Sequence, residues 1–125
     1  MMSRVKGRDT RPEKLVRSLL HRMGYRFRLH RKDLPGKPDV VLPKHRKIVF
    51  VHGCFWHGHE GCRRASRPKS NVEFWNRKID ANIERDARAQ RELESSGWKI
   101  LTVWQCETHD VPMLRERLET FLSKG

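Results

Sequence analysis

Residues 50–62 carry three histidines (His52, His57, His59), two cysteines (Cys54, Cys62) and an adjacent Phe55–Trp56 pair. A loop built only to connect strands does not need that chemistry. Cys54, His59 and Cys62 fall close enough to grip one ion, and Cys106, far along the chain, supplies a fourth donor. Three thiolates and one imidazole make a closed tetrahedral Zn2+ site, which ties a loop down and does no chemistry. The competing reading is three ordinary buried cysteines and a surface histidine. Cysteines placed among glycines and histidines, rather than in an apolar element, favour the metal. Spacing alone leaves His57 as a rival to His59. Three cysteines, an odd number, also point away from disulfides.

Asp39 follows Pro38 at the start of an apolar run, and a second run ends at Val51–His52. Hydrolysing a phosphodiester calls for a divalent cation that polarises the phosphate and acidifies the attacking water. Mg2+ takes hard oxygen donors and keeps several waters, so one carboxylate with backbone carbonyls suffices to hold it. Asp39 is the best-placed carboxylate for that, against its alternative as a plain turn aspartate. Glu13 has the stronger bland reading, because it stands three residues after Thr10 as in a capping box. Asp86 is more informative: Trp75, Ile79, Asn82 and Asp86 share one helical face. His52 and His57 are each suited to take a proton from water near neutral pH, or simply to bond to backbone.

Lys and Arg number 28 against 15 Asp and Glu, a net charge of +13. Such a surface attracts polyanions, nucleic acid above all, although a merely solubilising basic surface would read the same. Lys37, Arg63, Arg64 and Asn82 are the expected nucleic-acid contacts. Phe55 and Trp56, with Trp75 from the following helix, are suited to stacking on bases or wedging into a duplex step. Trp98 and Trp104 alternate with Ile100 on one strand face and are expected in the core. No apolar run approaches the roughly 18 residues that span a bilayer, and residues 1–11 lack an apolar signal segment. The expected location is the bacterial cytoplasm, associated with the nucleoid, and the expected state is a monomer without membrane contact.

These residues need positioning. Residues 1–9 form a basic arm. Thr10, Pro12 and Glu13 start a helix that carries Leu15, Val16, Leu19, Leu20 and Met23 and stops at Gly24. Alternation over 25–29 predicts a strand, and two prolines and a glycine make 34–38 a loop. Strands over 39–42 and 48–51 flank a basic turn at 43–47, the second buried on both faces. A long helix is expected over 71–96, a strand over 98–104, and a final helix capped by Asp110 and carrying Val111, Leu114, Leu118, Phe121 and Leu122. The order describes one α/β domain over 1–125, a mixed central sheet flanked by helices.

Taken together, these stretches resemble the very short patch repair (Vsr) DNA mismatch endonucleases. The matching residues are Arg8-Asp9-Thr10 with Glu13, Leu34 to Asp39, Phe50 to His59, Glu73-Phe74-Trp75, Asn82 to Asp86, and Gly97 to Cys106. The resemblance implies a restriction-endonuclease-like fold that nicks one strand of double-stranded DNA beside a T:G mismatch left by deaminated 5-methylcytosine. It implies Mg2+ on Asp39 and the Val51 carbonyl, a catalytic His57, and Glu13, His52 and Asp86 holding metal-bound waters or assisting. It implies Zn2+ on Cys54, His59, Cys62 and Cys106, and intercalation by Phe55, Trp56 and Trp75. It further implies contact with mismatch-repair factors. Three departures stand out: Val51 where the familiar member has threonine, one extra residue in the zinc loop at Glu60-Gly61, and a short N-terminal arm. The rivals are a related nicking nuclease with another lesion or mismatch preference, and a zinc-stabilised nucleic-acid-binding module without catalysis.

Overall fold

The computed structural model describes residues 10–123; the expected basic arm, 1–9, lies outside them. Among the described residues three α-helices and four strands follow the predicted order: α1 Arg11–Arg22, β1 Arg28–Leu29, β2 Val40–Leu42, β3 Lys47–His52, α2 Val72–Ser95, β4 Lys99–Trp104 and α3 Val111–Ser123. The sheet order is β1-β2-β3-β4. β1, β2 and β3 form an antiparallel meander, and β4 joins β3 in parallel after the α2 crossover.

Strand parity sorts the side chains into two cores. Val40, Leu42, Val49, Val51 and Val103 face α1 and α3, where Val16, Leu19, Leu20, Leu114, Leu118 and Leu122 meet them. Val41, Ile48 and Phe50 face the other way, onto Leu93 of α2 and Trp98. β3 is therefore covered on both sides along its length, as its lack of alternation predicts. The same parity sends His52 to the α2 side, toward the loop that follows.

Two local expectations are corrected. Only Arg28–Leu29 of the predicted 25–29 strand pairs, because the register that sets Arg28 opposite Val41 places residues 25–26 opposite the helical turn Pro43–His45, which offers them no strand. Tyr25 and Phe27 pack against the α1–α3 core instead. Lys47 belongs to β3 rather than to the preceding turn. It is 1% exposed, and its Nζ donates to the carbonyls of Phe121 (2.6 Å) and Leu122 (3.2 Å), satisfying acceptors that the end of α3 would otherwise bury unpaired. Lys47→Ala should cost about 2–3 kcal/mol, with melting lowered by roughly 8–12 °C in thermal denaturation. A variant melting within about 2 °C of wild type would mean that solvent replaces the lysine.

Candidate active site and metal centre

The site forms where the 50–62 loop leaves β3 and lies against α2. Gly58 takes φ +57°, and a Cβ there would meet Ile83 Cδ1 at 2.6 Å and Ile79 Cγ2 at 3.0 Å. Only glycine allows the loop to lie this close to α2. Gly36 (φ +74°) brings the 34–38 loop equally close, its Cβ position 2.8 Å from Ala89 Cβ. Asn82 Nδ2 donates to the Trp56 carbonyl at 2.9 Å. Asn82, expected at the nucleic acid, thus holds the aromatic loop with its amide group.

Asp39 stands just before β2, and its Oδ2 accepts from the Val51 N–H at 2.7 Å. Burial, opposed by that hydrogen bond and reinforced by the nearby Glu13 charge, pushes the Asp39 carboxyl up to about 7. A cation there would favour the ionised form, so the site suits a hard divalent ion by donor type and by charge. Glu13 is 2% exposed. Its N–H reaches Thr10 Oγ1 at 3.4 Å, as the cap requires, but its carboxylate turns to Arg17 Nη2 (2.9 Å) and His30 Nε2 (3.0 Å). Glu13, His30 and Asp39 converge, with donor atoms within 4.8 Å of one another.

On the α2 side His57 Nδ1 lies 2.6 Å from Asp86 Oδ2. The carboxylate makes Nδ1 the protonated nitrogen and leaves Nε2 with a lone pair, which suits a base. His52 stacks flat on His57, centroids 3.8 Å apart at 3°, and its buried Nδ1 has no hydrogen-bond partner among the described residues. Burial, then the neighbouring His57, lowers the His52 pKa to about 4, with Asp86 opposing. At neutral pH His52 is a neutral spacer, and His57 is the better-equipped base of the two.

The low His52 value is a statement about stability. Unfolded, the imidazole takes a proton near pH 6.5; folded, it resists until about 4. The fold binds fewer protons in that window, so the contribution is whole above pH 6.5 and is lost as pH falls toward 4. His52→Gln should soften the loss of stability between pH 7 and 4 by roughly 2–3 kcal/mol relative to wild type, read from urea unfolding across pH. Parallel pH profiles for the two proteins would remove His52 from the account.

Cys54, His59, Cys62 and Cys106 also converge, their donor atoms within 4.8 Å of one another. His59 Nδ1 lies 3.5 Å from Cys106 Sγ, and the Cys106 N–H donates to Cys54 Sγ at 3.4 Å. With His57 committed to Asp86, geometry separates the two histidines that spacing left open. Cys106 lies in a short helical turn, Gln105–His109. Glu107 pins that turn, accepting from the Trp104 N–H at 2.9 Å and from Arg117. Trp104, expected in the core, is only partly buried and forms the wall between the two centres. It stacks on His59 (4.1 Å, 8°) and meets His52 edge-on (5.3 Å).

Phe55, Trp56 and Trp75 form one cluster beside the site, with centroids 5.2–5.8 Å apart. Phe74, which sequence reasoning left without a role of its own, packs edge-on to Trp75 at 5.1 Å and is 56% exposed, the most exposed of the four rings. A cavity of about 520 Å3 runs alongside, lined by Lys37, His57, Asn82, Arg85, Asp86 and Arg88 among others. Arg63 and Arg64 are exposed just beyond Cys62, and Arg64 bonds His109. Arg67 reaches Asn76 (2.8 Å) and Asp80 (3.0 Å), fastening the segment after the loop to α2. His30 is the main residue missed. An antiparallel hairpin closing at 30 and 39 would have placed it beside Asp39, since its N–H donates to the Asp39 carbonyl at 3.2 Å.

The family model described as DNA mismatch endonuclease Vsr matches residues 1–64. The chain is 56% identical to the type II nicking enzyme V.XorIIP of Xanthomonas oryzae pv. oryzae, over 98% of this chain and 89% of that one. It is 41% identical to the DNA mismatch endonuclease Vsr of Escherichia coli K12, over 97% and 80%. Among solved structures, the catalytic domain of the homing endonuclease I-Bth0305I superposes with a TM-score of 0.62 at 22% identity, covering 90% of this chain and 94% of that domain. That likeness bears out the restriction-endonuclease-like architecture. Among the described residues, no helix is long and apolar enough to cross a membrane.

Proposed function

The chain belongs to the Vsr family of DNA mismatch endonucleases and is a DNA-nicking endonuclease; from that premise we propose that it nicks one strand beside the thymine of a T:G mismatch by Mg2+-dependent hydrolysis, in the repair of deaminated 5-methylcytosine. The observation that carries the reading is a pair of donor clusters, Glu13 with Asp39 and His57 with Asp86, the loop that supplies His57 also carrying Phe55 and Trp56 of the aromatic cluster.

Asp39 and the Val51 carbonyl would hold the Mg2+, which when bound polarises the phosphate and acidifies a water. Glu13 faces the same place and orients the hydrated ion. His57 Nε2 takes the proton of the attacking water, while Asp86 keeps the imidazole in the required tautomer and stabilises the imidazolium that forms. His52, neutral and flat against His57, excludes solvent and limits the rotation of the ring. One P–O bond of one strand breaks as the water oxygen bonds to phosphorus. Cys54, His59, Cys62 and Cys106 would hold Zn2+ as a structural ion, fixing the loop that carries His57 and the wedge. Lys37, Arg63 and Arg64 supply phosphate contacts, and the substrate partner is mismatched duplex DNA. Contact with mismatch-repair factors belongs to the same reading, as do a monomeric state and action in the cytoplasm.

Phe55, Trp56 and Trp75 would leave their mutual packing and enter the duplex at the mismatch. Stacking is already weakened there, so the unstacking cost of a few kcal/mol favours the mismatch over paired DNA. The test is a nicking assay with Mg2+ on end-labelled duplexes that differ at one pair: T:G, U:G, T:A and C:G. Nicking of the thymine strand in T:G alone is expected. Phe55→Ala/Trp56→Ala should weaken T:G binding by roughly 10–100-fold while affecting paired DNA far less. Equal cleavage of all four duplexes would leave a nuclease without mismatch selectivity, and binding without cleavage would leave a zinc-stabilised binding module.

A further inference from the structure

We propose that Arg85 is a positioning residue for the nicked strand: with Lys37 across the cleft it clamps a phosphate next to the scissile one and so sets the scissile phosphorus against His57. The inference rests on the reading of His57–Asp86 as the catalytic pair and adds a substrate contact to it.

The sequence leaves Arg85 unmatched. On a helix an arginine finds its acid three or four residues away. Around Arg85 those positions hold Ala81, Asn82, Arg88 and Ala89. Other charges on the same helix are matched: Arg88 meets Glu84 at 3.2 Å, and Asp80 meets Arg67 at 3.0 Å. Arg85 is exposed and makes no hydrogen bond or ion pair among the described residues. A merely solvated charge would read the same on the helix alone; the place of this one decides.

Arg85 lines the cavity of about 520 Å3 that His57 and Asp86 also line. The 34–38 loop comes onto α2 at Gly36 and Ala89, which belong to the same lining. The next residue, Lys37, is exposed and takes φ 47°, its N–H donating to the Leu34 carbonyl at 3.2 Å. A side chain other than glycine adopts that conformation where a turn imposes it. Two cations from different elements therefore border one cleft with the candidate base.

The acids of the lining set where the strand passes. Asp86 gives Oδ2 to His57 at 2.6 Å. Glu92 stands two turns beyond Arg85, about 10 Å along the helix axis, and repels phosphate from that end. The backbone therefore crosses at the Arg85 and His57 end. Successive nucleotides of one strand advance about 3.4 Å along the duplex axis, so the phosphate beside the scissile one falls to the residue beside Asp86. A guanidinium fork binds two phosphate oxygens at once and fixes orientation as well as charge.

Arg85→Ala is compared with wild type, Arg85→Lys and Arg91→Ala, which removes the same charge from an exposed position of α2 outside the cleft lining. Single-turnover nicking at saturating enzyme and gel-shift titrations over salt are read on a T:G duplex. They are repeated on duplexes in which one flanking phosphate of the nicked strand at a time is an uncharged methylphosphonate. Melting checks that each variant is folded. Arg85→Ala should lower the saturated rate by roughly 30-fold and the salt slope of binding by about one, and Arg91→Ala should leave the rate unchanged. Arg85→Lys keeps the charge without the fork, so it should restore the salt slope and only part of the rate. At one methylphosphonate position wild type should fall to the Arg85→Ala rate and the mutation should cost nothing further; elsewhere the two losses should multiply. Equal losses in Arg85→Ala and Arg91→Ala, or losses that multiply at every position, would overturn the proposal while leaving wild-type nicking intact. Undiminished nicking in His57→Gln would instead sink the catalytic pair, and this inference with it.

Discussion

Asp39→Asn is expected to lower the Mg2+-dependent nicking rate by about three orders of magnitude while leaving duplex binding in place. The carboxylate stands just before β2, held by the Val51 N–H and close enough to Glu13 and His57 to feel their charges. A metal that polarises the phosphate and acidifies water contributes several kcal/mol to the transition state, and about 4 kcal/mol corresponds to 10^3 in rate. Asparagine keeps the shape and can still accept from Val51, so the fold should persist. Binding draws on the basic surface and the aromatic cluster, neither of which involves Asp39. Binding is even expected to tighten slightly at low salt, because one negative charge near the phosphate is gone. Single-turnover nicking and a gel-shift on the same T:G duplex separate the two effects. If Asp39→Asn retained more than a tenth of the wild-type rate, the cation would have to sit elsewhere.

The second large effect is expected from the thiolate cluster. Cys54 is fully buried, and burial together with its cysteine neighbours pushes its thiol up to about 12. A bound Zn2+ reverses that by taking the thiolate outright. Apart from the bonds of Asn82 to the Trp56 carbonyl and of Asp86 to His57, the loop it ties down has little else. Its own hydrogen bonds are short-range turns such as His59 N–H to the Cys54 carbonyl (2.9 Å) and Cys62 N–H to the His59 carbonyl (3.3 Å). The main core between the sheet and α1–α3 uses none of these ligands. Chelation, or Cys106→Ser, should therefore lower the melting temperature by roughly 10–20 °C, for a loss of about 3–5 kcal/mol, without abolishing the fold. Nicking should vanish with it, since His57 and the wedge ride on the loop. Atomic absorption should find close to one zinc per chain. Protein that carries no zinc and melts unchanged in chelator would show the cysteines to be ordinary buried residues.

Much of this arrangement is legible in local sequence, for reasons that particular residues make plain. The run 48–51 lacks alternation because both faces of β3 are covered, one by α1 and α3 and one by α2. The face carrying Trp75, Ile79, Asn82 and Asp86 is visible from helical period alone. In the structure it packs Ile79, anchors the Trp56 carbonyl and holds His57. Three cysteines and a histidine are rare enough in kind to point at one another across 52 positions, from Cys54 to Cys106.

What local sequence does not contain is which of two lawful roles a residue takes. Glu13 satisfies the capping-box spacing, yet its carboxylate leaves the helix start for His30 and Arg17, because a buried charge finds better compensation there. Trp104 alternates like a core residue, but it stands at the open end of β4, where its face is met by His59 and His52 rather than by a helix. His57 and His59 are equivalent by spacing. Asp86 claims one and Cys106 the other, and both claimants come from elements packed around the loop. His30 carries no motif at all; it becomes part of the site only through the pairing of β1 with β2. Period and composition alone set the element order, the inward faces and the residue types that could do chemistry. Which atom meets which depended on the tertiary structure, because those contacts join residues that no local rule relates.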